Sequence, residues 1–190
     1  MCASITASPL AWSVTTAVAP LCWESKTFLA TVSGADAITL LPHQGFLVRT
    51  QPNTTLQGRK FGEFAIEQGA KRVVFLSPQT PVADSQFTNI KAAVEKAGGS
   101  AEKLIYDDKK PSYRTEIDQV LAAKPDAIIP GGYTPDTTVL LKDLFKADYK
   151  GKKIAFAYSV NQKLLDGVPA EVAEGIFTIA PSPAEGSGAH

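Results

Sequence analysis

Four short runs of β-branched and aromatic residues recur along the chain: Arg72-Val73-Val74-Phe75-Leu76, Lys103-Leu104-Ile105-Tyr106, Asp126-Ala127-Ile128-Ile129 and Lys153-Ile154-Ala155-Phe156-Ala157. Each is strand-length, and their starts lie 31, 23 and 27 residues apart, close to the roughly 30 residues of a β-α-β unit. Between them the apolar period changes. Phe87, Ile90, Val94 and Ala97 share one helical face, as do Tyr113, Ile117, Val120 and Leu121, and as do Leu140, Leu141, Leu144 and Phe145. Strands with little polar alternation, separated by amphipathic helices, predict a parallel sheet covered on both faces. The predicted fold class is α/β with a doubly wound parallel sheet.

The same grammar extends upstream. Phe46 to Thr50 reads as a strand, Gln51-Pro52-Asn53 as a turn, and Thr54 to Gly69 as a helix with Leu56, Phe61, Phe64 and Ala65 inward. Gly69 and Gly98-Gly99 stand where helices end on a left-handed residue. Asn53-Thr54-Thr55 matches a glycosylation acceptor, but Asn53 also stands at a helix N-cap, and the cap is the preferred reading. Ala3 to Thr6 as a strand, Val14 to Trp23 as a helix and Thr27 to Val32 as a strand form a less regular unit. Gly34 to Gly45, with Pro42, reads as a connection and puts a boundary near residue 45. After residue 160 periodicity fades, apart from Gly175 to Ala180 as one more strand, and the small polar tail from Pro181 to His190 is expected to fray.

Composition removes several function classes. Of 190 residues, 44% are hydrophobic and 20% charged, with 19 basic against 19 acidic residues, so no net field draws the chain to nucleic acid or an anionic membrane. A partner that is neutral or small is expected. Cys2 and Cys22 have no metal-ligand spacing and read as buried free thiols, with a single bridge as the lesser alternative. No run reaches the roughly 18 apolar residues of a membrane helix. Met1 to Pro9 lack a basic segment followed by an apolar one, so either the protein stays inside the cell or its true N-terminus lies elsewhere.

In an open parallel sheet, ligands bind beyond the carboxyl ends of the strands, where helix N-termini present free N–H groups. That rule selects Ser4 and Thr6, Thr31 and Ser33, Ser77 to Gln79, Asp107 and Asp108, Gly131-Gly132-Tyr133, and Tyr158-Ser159. Hydroxyls, amides and rings hold a small polar molecule more readily than they transform one. A catalytic triad would rest on His43 alone, which reads as a loop histidine. No nucleotide-cradling glycine motif follows a strand, and Asp107-Asp108 run straight into Lys109-Lys110, so neither a catalytic residue nor a cofactor or metal is expected. Tyr133 has two readings: a ring at the mouth of a cleft, approached closely by ligand because Gly131-Gly132 carry no side chain, or a ring that covers a helix start.

Phe46-Leu47-Val48-Arg49-Thr50-Gln51-Pro52, Leu56-Gln57-Gly58, the stretch "YRTEIDQVLAAKPDAIIPGGYTPDTTVLLKDLFKADYKGKKIAF" and the later "EVAEGIFTIAPSP" together resemble the type I periplasmic solute-binding proteins of branched-chain amino acid ABC transporters, over about residues 2 to 185. The resemblance implies two doubly wound lobes closing on an amino acid or similar small acid. It implies a partial first lobe over 1–45, a second lobe over 46–160, and an inter-lobe return segment and tail over 161–190. Also implied are a periplasmic location, a membrane permease as partner, no nucleic acid and no enzymatic turnover. Carried over position by position, the ligand-binding residues are Thr31 and Ser33 after the first-lobe strand, Tyr133 after the glycine pair, and Tyr158 or Ser159 after the next strand. Ser8 and Ser13 compete for the helix-start hydroxyl. The resemblance tips Tyr133 toward ligand contact.

The chain departs from that pattern in three ways. Ser77-Pro78-Gln79-Thr80-Pro81-Val82 replaces an Asp-x-x-Tyr-Gly segment, removing an aromatic wall. No acid stands at 158–159 to pair with an α-ammonium, which leaves aromatic or aliphatic carboxylates and amides open beside amino acids. The chain is also short for two lobes. A ligand-sensing domain of a regulator or receptor is the alternative function, and an open α/β enzyme the third.

Overall fold

The computed structural model describes residues 52–180 continuously, together with two earlier strands and the single residues Gly34, Asp36, Leu40 and Pro42. The strands expected at Ala3 to Thr6, the helix at Val14 to Trp23, both cysteines, His43 and the tail after residue 180 lie outside the described residues. Two short strands, β1 (Phe28–Ala30) and β2 (Leu47–Arg49), pair in parallel with each other. The chain then runs through α1 (Thr54–Glu67), β3 (Arg72–Ser77), α2 (Pro81–Lys96), β4 (Ser100–Ile105), α3 (Arg114–Ala122), β5 (Ala127–Pro130), α4 (Thr134–Lys146), β6 (Lys152–Phe156), α5 (Gln162–Asp166), α6 (Ala170–Ala173) and β7 (Ile176–Ile179).

Five of these strands form one parallel sheet in the order β4-β3-β5-β6-β7. Alternate side chains of each strand feed opposite layers, as strand geometry requires. Val73 and Phe75, Ala127 and Ile129, and Ile154 and Phe156 pack under α1 and α2 with Phe61, Ala65, Ile90 and Val94. Val74, Leu76 and Ile128 face α3 and α4, meeting Tyr113, Ile117, Val120, Leu140 and Leu144. The sheet is doubly wound, as the sequence pattern predicts.

Local chemistry sets the helix ends. The Asn53 side-chain oxygen accepts the Leu56 N–H at 2.9 Å, which makes the cap the observed role of that residue. Thr80 does the same for Ala83 at 3.1 Å, with Pro81 opening α2. Gly69 and Gly98 end α1 and α2 with φ of 82° and 78°, where a side chain would be strained.

Four features differ from the sequence reading. First, β2 pairs with β1 and not with the main sheet, so the strand expected to open the second lobe belongs with the preceding segment. A three-residue strand carries no pattern that names its partner. The connection to the main sheet is α1 itself, which lies on the main sheet's core. Second, the stretch after residue 160 holds two short helices that the sequence did not show, ahead of the expected strand, β7, which extends the main sheet beside β6. Helices of four and five residues are too short to show a period. Third, β4 begins at Ser100 and buries only Ala101 fully, as an edge strand with one neighbour. Fourth, Leu56 is exposed, and the inward face of α1 runs through Thr54, Gly58, Phe61, Gly62 and Ala65.

That face explains how α1 and α2 meet. A Cβ placed on Gly62 would come within 2.7 Å of the Ile90 carbonyl and the Ala93 Cβ, and one on Gly58 would collide with the Gln86 carbonyl. The helix backbones approach as closely as they do because neither glycine has a side chain. At the front of the same helix pair, the Asp36 carboxylate accepts the hydroxyls of Thr54 at 2.5 Å and Ser85 at 2.6 Å. Burial opposes its charge, but these hydroxyls and the Thr55 N–H outweigh it and hold the carboxyl below its usual range. Asp36 is thereby tied to both helices.

Gly62→Val therefore forces α1 and α2 apart, and we expect a loss of roughly 1–3 kcal/mol of stability. A lowered urea midpoint with an unchanged slope checks this.

Candidate functional site

The strand order places one reversal in the sheet. From β3 the chain steps outward to β4, then returns to build β5, β6 and β7 on the other side. Loops leaving β3 and β5 diverge to opposite faces, and the crevice between their carboxyl ends is where open α/β sheets bind ligands. Here that crevice is bounded by Ser77 at the end of β3 and by Gly131-Gly132-Tyr133 after β5. Next along, Tyr158 and Ser159 follow β6.

The turn after β5 is stitched to its neighbours. The Gly131 N–H donates to the Leu76 carbonyl at 2.6 Å. The Gly132 carbonyl accepts the Ser159 hydroxyl and, at 3.3 Å, the Thr137 hydroxyl. A Cβ on Gly131 would strike the Phe75 ring, and one on Gly132 the Tyr106 hydroxyl. The turn lies flat on the layer beneath it, and only glycine fits at either position. One residue further, the helix start is tied across to the loop after β6. The Thr134 hydroxyl donates to the Tyr158 carbonyl at 3.4 Å and accepts from the Asn161 amide at 3.0 Å.

These bonds set two rings side by side. Tyr133 and Tyr158 have centroids 5.8 Å apart, tilted by 49°. Tyr133 is 72% exposed, so it does not cover the helix start, and the backbone of α4 begins there without a side-chain cap. Tyr158 is 43% exposed and stacks on Phe156 at 5.2 Å, which stacks on Phe61 at 4.0 Å. Gln86 of α2 is buried and donates its side-chain amide to Gln57 at 3.3 Å. Burial pushes the Tyr158 hydroxyl up to about 12, so it stays a neutral donor at ordinary pH.

A buried polar set supports this rim from the α4 side. Asp136 takes the Tyr113 hydroxyl at 2.8 Å and the Lys109 N–H at 2.9 Å, while Asp143 takes the Ser112 hydroxyl and the Tyr113 N–H, each at 2.8 Å. Two acids on one helix thus hold the loop between β4 and α3. Burial and the Asp136 contact both raise the Tyr113 hydroxyl well above its ordinary value. Two polar groups in this layer, the Ser77 and Tyr106 hydroxyls, are buried without a hydrogen-bond partner among the described residues.

Of the residues singled out from sequence, the structure brings Tyr133, Tyr158 and Ser159 together at one rim. Ser159 is fully buried and its hydroxyl is spent on Gly132. Ser8, Ser13, Thr31 and Ser33 lie outside the described residues. Sequence reasoning missed Gln86, Asp136 and Asp143. The signal was present: Gln86 falls on the apolar stripe of Ala83, Ile90 and Val94, and Asp136 and Asp143 fall on that of Leu140 and Leu144.

A second hollow, open and of about 400 Å³, lies at the opposite end of the sheet among Arg72, Lys124, Asp126, Tyr149 and Lys150. Its polar groups serve the fold. Asp126 accepts the Lys71 and Arg72 N–H groups at 3.0 and 2.8 Å and is held below the usual carboxylate range, first by the Arg72 bond. Tyr149 donates to the Pro125 carbonyl at 3.3 Å. Among the described residues no cluster of His, Cys, Asp and Glu is arranged to hold a metal ion, and no helix is long and apolar enough to cross a membrane.

A parallel sheet with helices on both faces, in this strand order, matches a lobe of the type I periplasmic-binding-protein fold. The chain belongs to the periplasmic binding protein family, whose sequence model matches residues 6–189. Among solved structures it resembles a leucine-binding protein of Thermotoga maritima, with a TM-score of 0.65 and 21% identity over 71% of this chain and 39% of that one. It also resembles an extracellular ligand-binding receptor of Rhodopseudomonas palustris, with a TM-score of 0.66 and 18% identity over 80% of this chain and 42% of that one. A third is an ABC transporter solute-binding protein from R. palustris in complex with benzoate, with a TM-score of 0.62 and 16% identity over 70% and 36% of the two chains. The chain thus spans less than half the length of these relatives. No curated protein matches it in sequence.

The Tyr106 hydroxyl, pressed on Gly132 and unpartnered, sets a test of the turn. Gly132→Ala should destabilise the protein by roughly 1–3 kcal/mol, and adding Tyr106→Phe should recover part of the loss because the colliding atom is gone. Tyr106→Phe alone should be neutral or stabilising by up to about 1 kcal/mol, since no hydrogen bond is broken. Thermal melts of the three variants check the order.

Proposed function

We propose that this chain is the ligand-holding part of an ABC transporter's substrate-binding component. It takes an amino acid or a related small carboxylate or amide into an inter-lobe cleft, outside the cytoplasm, and passes it unchanged to a membrane permease. The observation that carries the reading is the exposed Tyr133-Tyr158 pair, fixed at the sheet's reversal by hydroxyls on the Gly132 carbonyl. Large exposed rings cost solvation unless something covers them, and adjoining rings at a ligand crevice are suited to a small solute. Membership of the periplasmic binding protein family supports it. So do the names of similar structures, one a leucine-binding protein and one a solute-binding protein holding benzoate.

In this reading Tyr133 and Tyr158 form the second-lobe wall, while Ser159 positions Tyr133 through the Gly132 carbonyl. Thr31 and Ser33, with Ser8 or Ser13, belong to the facing wall and hold the carboxylate. The solute is handed on without turnover in this reading, as family membership supports. A sensing domain of the same fold would use the same wall, and only the partner would differ.

Saturable binding of leucine, benzoate or a comparable small acid, measured by NMR titration to reach millimolar affinity, is the expected result. Tyr133→Ala should weaken it by about 1 kcal/mol, roughly fivefold in Kd, with unchanged thermal stability. Equal affinity in the variant sinks the role of the ring.

A further inference from the structure

We propose that Asp36 is a positioning residue for the solute site. With one carboxylate oxygen it holds Thr54 of α1 and Ser85 of α2, which fixes the segment after β1 against the main-sheet helices and sets the spacing between the two walls of the cleft. The proposal rests on the reading of the Tyr133-Tyr158 rim as one of those walls. It adds the residue that keeps the other wall in place without touching the solute.

The geometry is a closed triangle. Asp36 Oδ2 accepts the Thr54 hydroxyl at 2.5 Å and the Ser85 hydroxyl at 2.6 Å, and the two hydroxyl oxygens lie 3.0 Å apart. Each hydroxyl has one proton to give, so with both on the carboxylate none is left between Thr54 and Ser85. Oδ1 accepts the Thr55 N–H more distantly, at 3.4 Å, and the Thr54 N–H donates to the Gly34 carbonyl at 2.9 Å. Residues 34 and 36 are thus joined to the N-terminal ends of two helices. Every donor to Asp36 here is neutral, so salt does not screen the tie as it screens an exposed ion pair.

The parts joined are held by different means. Helices α1 and α2 are seated on the main sheet through Phe61, Ala65, Ile90 and Val94, and they close on each other over Gly58 and Gly62. Strands β1 and β2 form a two-stranded sheet of their own, and α1 starts at Thr54, soon after β2 ends at Arg49. Asp36 follows Ser33 by three residues, and the proposed reading puts Ser33 on the facing wall. A wall free to swing lowers the apparent affinity for solute by the fraction of time it spends out of place. A tie at Asp36 limits that swing.

The α1-α2 contact does not need Asp36. With the carboxylate gone, the Thr54 and Ser85 hydroxyls, already 3.0 Å apart, can bond to each other, so the Thr54 hydroxyl, in a residue only 1% exposed, is not stranded. Asp36→Ala therefore removes the tie and leaves the sheet that bears Tyr133 folded.

Hydrogen exchange and NMR titrations with leucine and, separately, benzoate test this on the 190-residue chain. In Asp36→Ala the Thr54 amide should exchange at least tenfold faster while the β3 and β5 amides keep their rates. The Kd of each solute that binds should rise at least fivefold, by the same factor for both. Asp36→Asn, which keeps one acceptor oxygen, should fall between. Unchanged exchange at Thr54 overturns the proposal, and so does faster exchange with unchanged affinity; both leave the solute site standing. A loss for leucine with benzoate unaffected makes Asp36 a contact of the ammonium group and overturns its positioning role. Saturation by neither solute in the unaltered chain defeats the solute site itself, and the role given to Asp36 with it.

Discussion

The structure turns on the close passage of Gly131-Gly132 over the end of the sheet. Strands β3, β5 and β6 meet at that point. Gly131 is bonded to Leu76 of β3, and Gly132 receives hydroxyls from Ser159 beyond β6 and Thr137 in α4. With Phe75, Ser77 and Tyr106 directly below, no side chain can be added at either glycine without collision. Everything proposed for the rim follows from this seating, because it fixes where the next residue, Tyr133, leaves the surface. A looser turn would leave an exposed tyrosine free to sample many rotamers, and the entropy of ordering it would offset much of what stacking contributes.

The polar chemistry around the turn divides into groups that hold the fold and groups that remain available. Asp136 and Asp143 are buried acids whose lone pairs are used by the loop ahead of α3, and removing either would strand its donors. At the far end of the sheet, Asp126 does similar work for the start of β3, and Tyr149 closes on a backbone carbonyl. In the hollow there, Asp126 is engaged in holding the start of β3 through the Lys71 and Arg72 N–H groups. Beyond the carboxyl ends of β5 and β6, by contrast, Tyr133 and Tyr158 stand exposed side by side.

Most of the main sheet was legible from residues 72 onward because each strand there is a run of β-branched or aromatic residues and each long helix repeats over two turns or more. Caps at Asn53, Gly69 and Gly98 were legible for a local reason: a cap is a property of three or four adjacent residues. What escaped was long-range. The pairing of Leu47–Arg49 with Phe28–Ala30 depends on contacts about 19 residues apart that a three-residue run does not encode. Leu56 was placed inward because it is apolar, whereas the contact with α2 selects the smallest residues, Gly58 and Gly62. At the site, Tyr133 and Tyr158 could be named from their places after strands. The burial of Ser159 could not, since it arises from a carbonyl on another strand. Gln86 and Asp136 were visible only as polar interruptions of apolar stripes, a pattern more often met on an ordinary helix surface.

The five tyrosines provide a built-in reporter of where a solute sits: Tyr133 and Tyr158 at the reversal, Tyr106 and Tyr113 in the layer below, and Tyr149 at the opposite end of the sheet. Ring-labelled tyrosine spectra recorded during addition of leucine, and separately of benzoate, test the central claim most directly. The account predicts that the Tyr133 and Tyr158 ring signals move together along one saturating curve while Tyr149 stays in place. Movement of Tyr149 with Tyr133 and Tyr158 unchanged would contradict it.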